Sequence, residues 1–209
     1  MQILFALCKK LMLQCGIEAM VLSDRTIKEE ITKGRLVIEP LTSSCIQPAS
    51  VDLHLDKELI TFGTQRYPAY IDVKCNPSDL GELVNIDEDY AFFLAPGEFV
   101  LASTLESLTL PDDIVGRLES KSSLARIGLM ISTAGYVDPG WQGHLTFALT
   151  NIAKLPVTLY YRMKIGQITF LQLTSPVDRM YGSCELGSKY QGQTNPTSSK
   201  YYQNFAKEI

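Results

Sequence analysis

Histidine is scarce in this chain, two residues in 209, and its five cysteines (Cys8, Cys15, Cys45, Cys75 and Cys184) are scattered without any C-x-x-C spacing. Zinc sites draw on clustered Cys and His, so a zinc centre is excluded on composition, and an odd, dispersed set of thiols fits a reducing cytoplasm rather than a disulfide framework. Clustered positive charge is also lacking. Nineteen Lys and Arg stand against 23 Asp and Glu, a net charge of −4, which argues against a broad nucleic-acid footprint while leaving room for a local basic pocket that takes a free nucleotide. Long apolar runs are missing too. Met1 to Leu7 is apolar but short, has no basic leader and runs into Lys9 and Lys10, so neither a signal peptide nor a membrane span is expected. No internal repeat, low-complexity stretch or linker divides the chain. With 45% hydrophobic and 20% charged residues, it reads as one soluble domain large enough to bury a core.

Most of the chain reads as strand. Ser23-Asp24 can cap a helix running to about Thr32, with Gly34 as its stop, and no other longer helix is expected. Val51 to Asp56 alternates apolar and polar, as do parts of Glu98 to Leu108 and Leu155 to Tyr160, and Ile165 to Leu173 is a near-continuous apolar run. Turn signals at Pro68, Asn76-Pro77, Ala95-Pro-Gly97, Pro111-Asp-Asp113 and Asp138-Pro-Gly140 separate these segments. The expected class is all-β with one or two short helices, in the form of a distorted jelly-roll barrel.

Polar chemistry concentrates in Gly116 to Arg126 and Thr133 to Trp141. Lys121 offers a cation, Ser122 and Ser123 offer hydroxyls, and Ser122 is expected as N-cap of a short helix to Ile127, whose free N–H groups suit an anion. Asp138 follows twelve residues after Arg126 in an Asp-Pro-Gly turn. Together they read as a triphosphate cradle beside a carboxylate, or, more simply, as a capped turn followed by a hairpin.

These blocks do not stand alone. Gln47 to Asp52, Pro96 to Leu101, Lys121 to Arg126, Thr133 to Gly143, Lys154 to Pro156, Met163 to Gln167, Leu173 to Pro176 and the tail Gly187 to Gln193 with Pro196-Thr197 occur in order. From Met20 to Phe205 the chain resembles the dCTP deaminase branch of the dUTPase superfamily, most closely its bifunctional, dUMP-forming members. The resemblance implies a dUTPase-like barrel over residues 20–186, preceded by an extension or misassigned start over 1–19 and followed by a closing segment over 187–209. It implies a cytoplasmic homotrimer with sites between subunits, acting on dUTP or dCTP, and raises dTTP as an effector. By position, Lys121, Ser122, Ser123, Arg126, Asp138, Thr146, Phe147, Ala148, Gln167, Tyr181, Lys189 and Gln193 would contact nucleotide. Mg²⁺ would bind through phosphates and waters, without direct protein ligands. Of these residues, Ser122, Arg126 and Asp138 would carry the catalysis, Asp138 holding the 3′-hydroxyl or the hydrolytic water, with Ala148 at the position of the family's glutamate.

Two departures decide what is expected of the site. Ala148 stands where deaminases of this family carry the glutamate that activates water, and a methyl group cannot exchange a proton. His144 is four residues away, roughly 13 Å along a strand, and the zinc-deaminase signature is absent. The segment Gly128 to Ala134 is one residue shorter than in deaminase relatives and lacks their histidine, which brings the Ser122 to Asp138 spacing close to that of ordinary dUTPases. Trp141 takes the place where those enzymes put a tyrosine under the sugar. The leading expectation is hydrolysis of dUTP to dUMP and diphosphate, followed by a dCTP deaminase with an inactivating change at 148, and then by a non-catalytic nucleotide binder. Asp52 resembles the family's first motif near the metal waters, or else lies with Asp56 on the wet side of a strand. His54 is expected in solvent, Asp87 to Asp89 as a solvated turn, and Tyr201, Tyr202 and Phe205 as an anchor for the terminal segment.

Overall fold

The computed structural model describes residues 20–63, 70–132 and 135–205, so the expected extension over 1–19 lies outside the described residues. Strand β1 (Met20–Val21) leads into helix α1 (Asp24–Thr32), whose first turn is closed by Ser23 accepting from the Thr26 N–H at 3.5 Å. Gly34, at φ +69°, turns the chain away after Lys33, as the sequence predicts. Strands β2 (Val37–Glu39), β3 (Ile46–Gln47), β4 (Ser50–Thr61), β5 (Glu82–Asn85), β6 (Phe92–Leu94), β7 (Phe99–Thr109) and β8 (Ile114–Ser120) follow. After the short helix α2 (Ser122–Ala125) come β9 (Leu129–Ser132), β10 (Tyr136–Val137), β11 (Gln142–Asn151), β12 (Val157–Leu159) and β13 (Lys164–Gln172).

The main sheet is antiparallel and runs β10-β8-β13-β4-β7-β11-β9, with β6 and β12 pairing separately. It curls so that alternate residues of β4, β7, β11 and β13 fill one core, which includes the fully buried Leu53, Leu59, Leu108, Phe147, Leu149 and Phe170. Each such side chain contributes about 1.5–3 kcal/mol by leaving water. This curled, mostly β architecture is the barrel expected from the sequence. The Asp87 to Asp89 turn is exposed, as predicted. Among the described residues no helix is long and apolar enough to cross a membrane.

Of the two readings of the polar side of β4, the wet face does not hold at Asp52. Asp52 is only 2% exposed, because β13 pairs along it and Lys164 of β13, with Lys121 after β8, reaches over its carboxylate. His54 is held by the buried Glu106 of β7, which accepts from the His54 backbone N–H at 2.9 Å and meets ring Nδ1 at 2.5 Å. A buried carboxylate needs such partners, and they draw His54 out of solvent.

Candidate active site

Strand β11 supplies the floor of a cavity of about 600 Å³. Ala148 sits between Leu101 of β7 and Ser132 of β9, and Thr146 lies opposite Ser103. Period-2 alternation turns Thr146 and Ala148 toward the cavity and Phe147 into the core. The Phe147 ring is fully buried and packs against Gly166, where an added Cβ would come within 2.9 Å of it, so the nucleotide contact expected of Phe147 would fall to its backbone. A register shift between His144 and Thr146 alters the pairing with β7 at the near end of the strand. Leu145 also borders the cavity, whereas the His144 ring turns to the Thr104 carbonyl at 2.9 Å and does not line it.

Asp138 opens the tight turn that enters this strand: the Trp141 N–H donates to the Asp138 carbonyl, and Gly140 adopts φ +85°. Its side chain is exposed at the cavity mouth. Trp141 is buried beside it, donates Nε1–H to the Gly143 carbonyl at 3.0 Å and packs on Tyr181 with ring centroids 5.4 Å apart. The cavity wall is mainly apolar, with Phe62, Phe99 and Leu118 on it, and its ionisable lining groups with acidic side chains are Asp72 and Asp138. A flat heterocycle with a few polar edges suits such a wall.

The C-terminal segment completes the enclosure. Gly143 and Gln193 form an isolated parallel bridge; the His144 N–H donates to the Gln193 carbonyl at 2.8 Å, and the Gln193 side chain donates to Thr146 Oγ1 at 2.6 Å. Gly143 sits at φ +126°, and a Cβ there would lie 2.5 Å from the Gln193 carbonyl oxygen, so only glycine admits the tail. Tyr201 and Tyr202 border the same cavity, and Lys74 lies over the Phe205 ring.

The cradle lies elsewhere on the chain. Lys121, not Ser122, is the N-cap of α2; Ser122 is already helical, and no side chain caps the turn. The reason is the strand that precedes it: β8 carries extended backbone through Ser120, and Lys121 is the last residue with extended angles. Ser122, Ser123 and Arg126 are exposed. Since Leu129 pairs with Asn151 and Ser132 with Ala148, α2 stands at the far end of β9 from Ala148, about 10 Å along the strand. None of Lys121, Ser122, Ser123, Arg126, Gln167 and Lys189 borders the cavity, whereas Asp138, Thr146, Ala148, Tyr181 and Gln193 do.

Lys121 is nevertheless held. Its Nζ meets Asp52 Oδ1 at 2.5 Å, while Lys164 Nζ meets Oδ2 of the same carboxylate at 3.0 Å. Burial pushes the Asp52 carboxyl toward its neutral form, but the hydrogen bonds from Lys121 and Lys164 outweigh this and hold it below the usual carboxylate range. The hydrogen bond to Asp52 raises Lys164 in turn. Sequence reasoning passed over Lys164 and Glu106, because their partners lie on other strands.

A protein-family model described as dCTP deaminase-like matches residues 21–173. The chain belongs to the dCTP deaminase-like family. Among its members, a protein of Mycolicibacterium vanbaalenii named dCTP deaminase, dUMP-forming, is 54% identical over 90% of this chain and 99% of its own length. One of the same name from Nocardia farcinica is 53% identical over 89% and 94%. Among solved structures, the crystal structure of 2′-deoxycytidine 5′-triphosphate deaminase from Agrobacterium tumefaciens matches with a TM-score of 0.58 at 21% identity, covering 74% of this chain and 48% of that one. That likeness places the curled sheet among dCTP deaminase-like folds.

Proposed function

We propose that this chain is a pyrimidine deoxynucleoside triphosphate hydrolase whose product is dUMP. The observation that carries this reading is the convergence of Asp138, Trp141 and Thr146 on one cavity whose floor at 148 is a methyl group. Asp138 would orient a water at the α-phosphorus and take its proton; the bond from that phosphorus to the bridging oxygen breaks, and diphosphate leaves with the electron pair. On this account dUTP is the substrate, since nothing at 148 can activate water at C4 of cytosine. Mg²⁺ would neutralise the triphosphate through its oxygens and bound waters. Asp52 is a poor direct ligand for it, because two lysines already occupy its oxygens.

A second reading, deamination of dCTP on the way to dUMP, is favoured by the names of relatives more than 50% identical to this chain. It would require Asp138 or Asp72 to serve as the base. Within one copy, Lys121, Ser122 and Arg126 stand apart from the cavity, which supports a site completed by a neighbouring copy in a homotrimer, with residues 187–209 as the closing segment. A test is incubation with dCTP and with dUTP in Mg²⁺, followed by chromatography of base and phosphate state. We expect dUMP from dUTP with dCTP unchanged. Uracil nucleotides from dCTP would establish the second reading, and no turnover of either would leave a nucleotide binder.

A further inference from the structure

Three strands converge at the end of the sheet that carries the cradle. β8 finishes at Ser120, opposite Gly166 of β13, so Lys121 leaves the sheet beside the start of β13; Gln167, on the same strand, lies opposite Asp52 of β4. The geometry brings two ammonium groups onto the two oxygens of one carboxylate. Asp52 is almost wholly buried and also accepts from Gln47 Nε2 at 3.3 Å, whereas the side chains of Lys121 and Lys164 are 23% and 41% exposed. The cluster therefore carries one positive charge beyond neutrality, displayed on two cations side by side and facing out. If neutralising Asp52 were its only purpose, one lysine would be enough. Two cations at this spacing match a ligand with several adjacent anionic groups, and long lysine chains lose much less affinity-limiting freedom when a carboxylate has already ordered them.

We propose that Lys164 is a further phosphate-binding cation of the site, ordered by Asp52 next to Lys121, so that the two lysines contact different phosphates of one triphosphate. This deepens the reading above and rests on Lys121, supplied by a neighbouring copy, holding the triphosphate there. Asp52 is the positioning residue, and the arrangement favours triphosphates over monophosphates because a single phosphate engages only one of the two cations well.

Calorimetric titration of the full chain with inorganic tripolyphosphate and with dUMP tests this directly. Lys164→Met is expected to weaken tripolyphosphate binding about tenfold, the loss of one charge-assisted contact, and to change dUMP binding much less; Lys164→Arg is expected to restore most of the loss. Asp52→Asn is expected to weaken tripolyphosphate binding although it makes the cluster more positive, because both lysines lose their anchor. Unchanged binding by a folded Lys164→Met protein overturns the role of Lys164 while leaving the proposed function intact, and tighter binding by Asp52→Asn overturns the anchoring role. Failure of the wild-type chain to bind either tripolyphosphate or dUTP overturns both the inference and the function it rests on.

Discussion

At the scale of single residues, Asp52 shows how burial and charge compete. Its folded pKa lies below the ordinary carboxylate value, so the stabilisation it provides is complete at neutral pH and is lost as pH falls below about 4. Asp52→Asn should cost about 2–3 kcal/mol at neutral pH, and it should flatten the acid limb of stability measured by denaturant unfolding between neutral and acidic pH. Phe147→Ala should cost about 3–5 kcal/mol, because its ring is core rather than ligand; an effect on nucleotide affinity alone, without loss of stability, would contradict that. Ala148→Glu puts a carboxylate on the cavity floor, and dCTP turnover by that variant would show that the rest of the pocket is competent for deamination. Thr146 and Ala148 were legible as cavity residues through the family resemblance, which carried them over by position. The turn of the His144 ring to the Thr104 carbonyl was not legible, since that partner lies 40 residues away.

At the scale of elements, local rules worked where the partners are close in sequence. Ser23 and Gly34 bracket α1 because capping is decided within a turn. The network that ties α1 to the sheet was not legible: Arg35 joins Glu30 at 2.6 Å and Asp113 at 2.6 Å, 78 residues away. Hydrogen bonds from Lys33 and Arg35 oppose the burial that would otherwise raise Glu30, and its carboxyl is held low. Asp113 is held low likewise, the Arg35 hydrogen bond outweighing burial. Arg35→Met should therefore lower stability by about 1–3 kcal/mol at neutral pH, an effect that shrinks in acid as the carboxylates protonate. The tail is an element with one strict requirement. Gly143→Ala should undock it, seen as faster proteolysis within residues 187–200 with little change in the melting temperature of the barrel.

At the scale of the whole molecule, the cavity and the cradle lie on separate parts of one chain, and that separation yields a prediction about assembly. Asp138→Ala and Lys121→Met proteins should each be inactive alone and should regain activity when unfolded and refolded together, because mixed assemblies would contain some sites that draw an intact cavity from one copy and an intact cradle from another. No recovery in verified mixed assemblies would place the whole site within a single copy. The sequence made the barrel readable through its alternation and turn residues. It could not show which side chains meet, since the cavity gathers Phe62, Leu101, Asp138 and Tyr201 from four distant stretches.

The bridge between Gly143 and Gln193 has a consequence in time. The barrel strands end at Gln172, yet the cavity is bordered by Gln193, Thr197 and Tyr201. Chains emerge from the ribosome N-terminus first, so every strand leaves before the last wall of the cavity exists. A product that stops prematurely after β13 would keep the barrel strands and lose that wall of the pocket, and competence for ligand would arrive only after residues 193–201 follow.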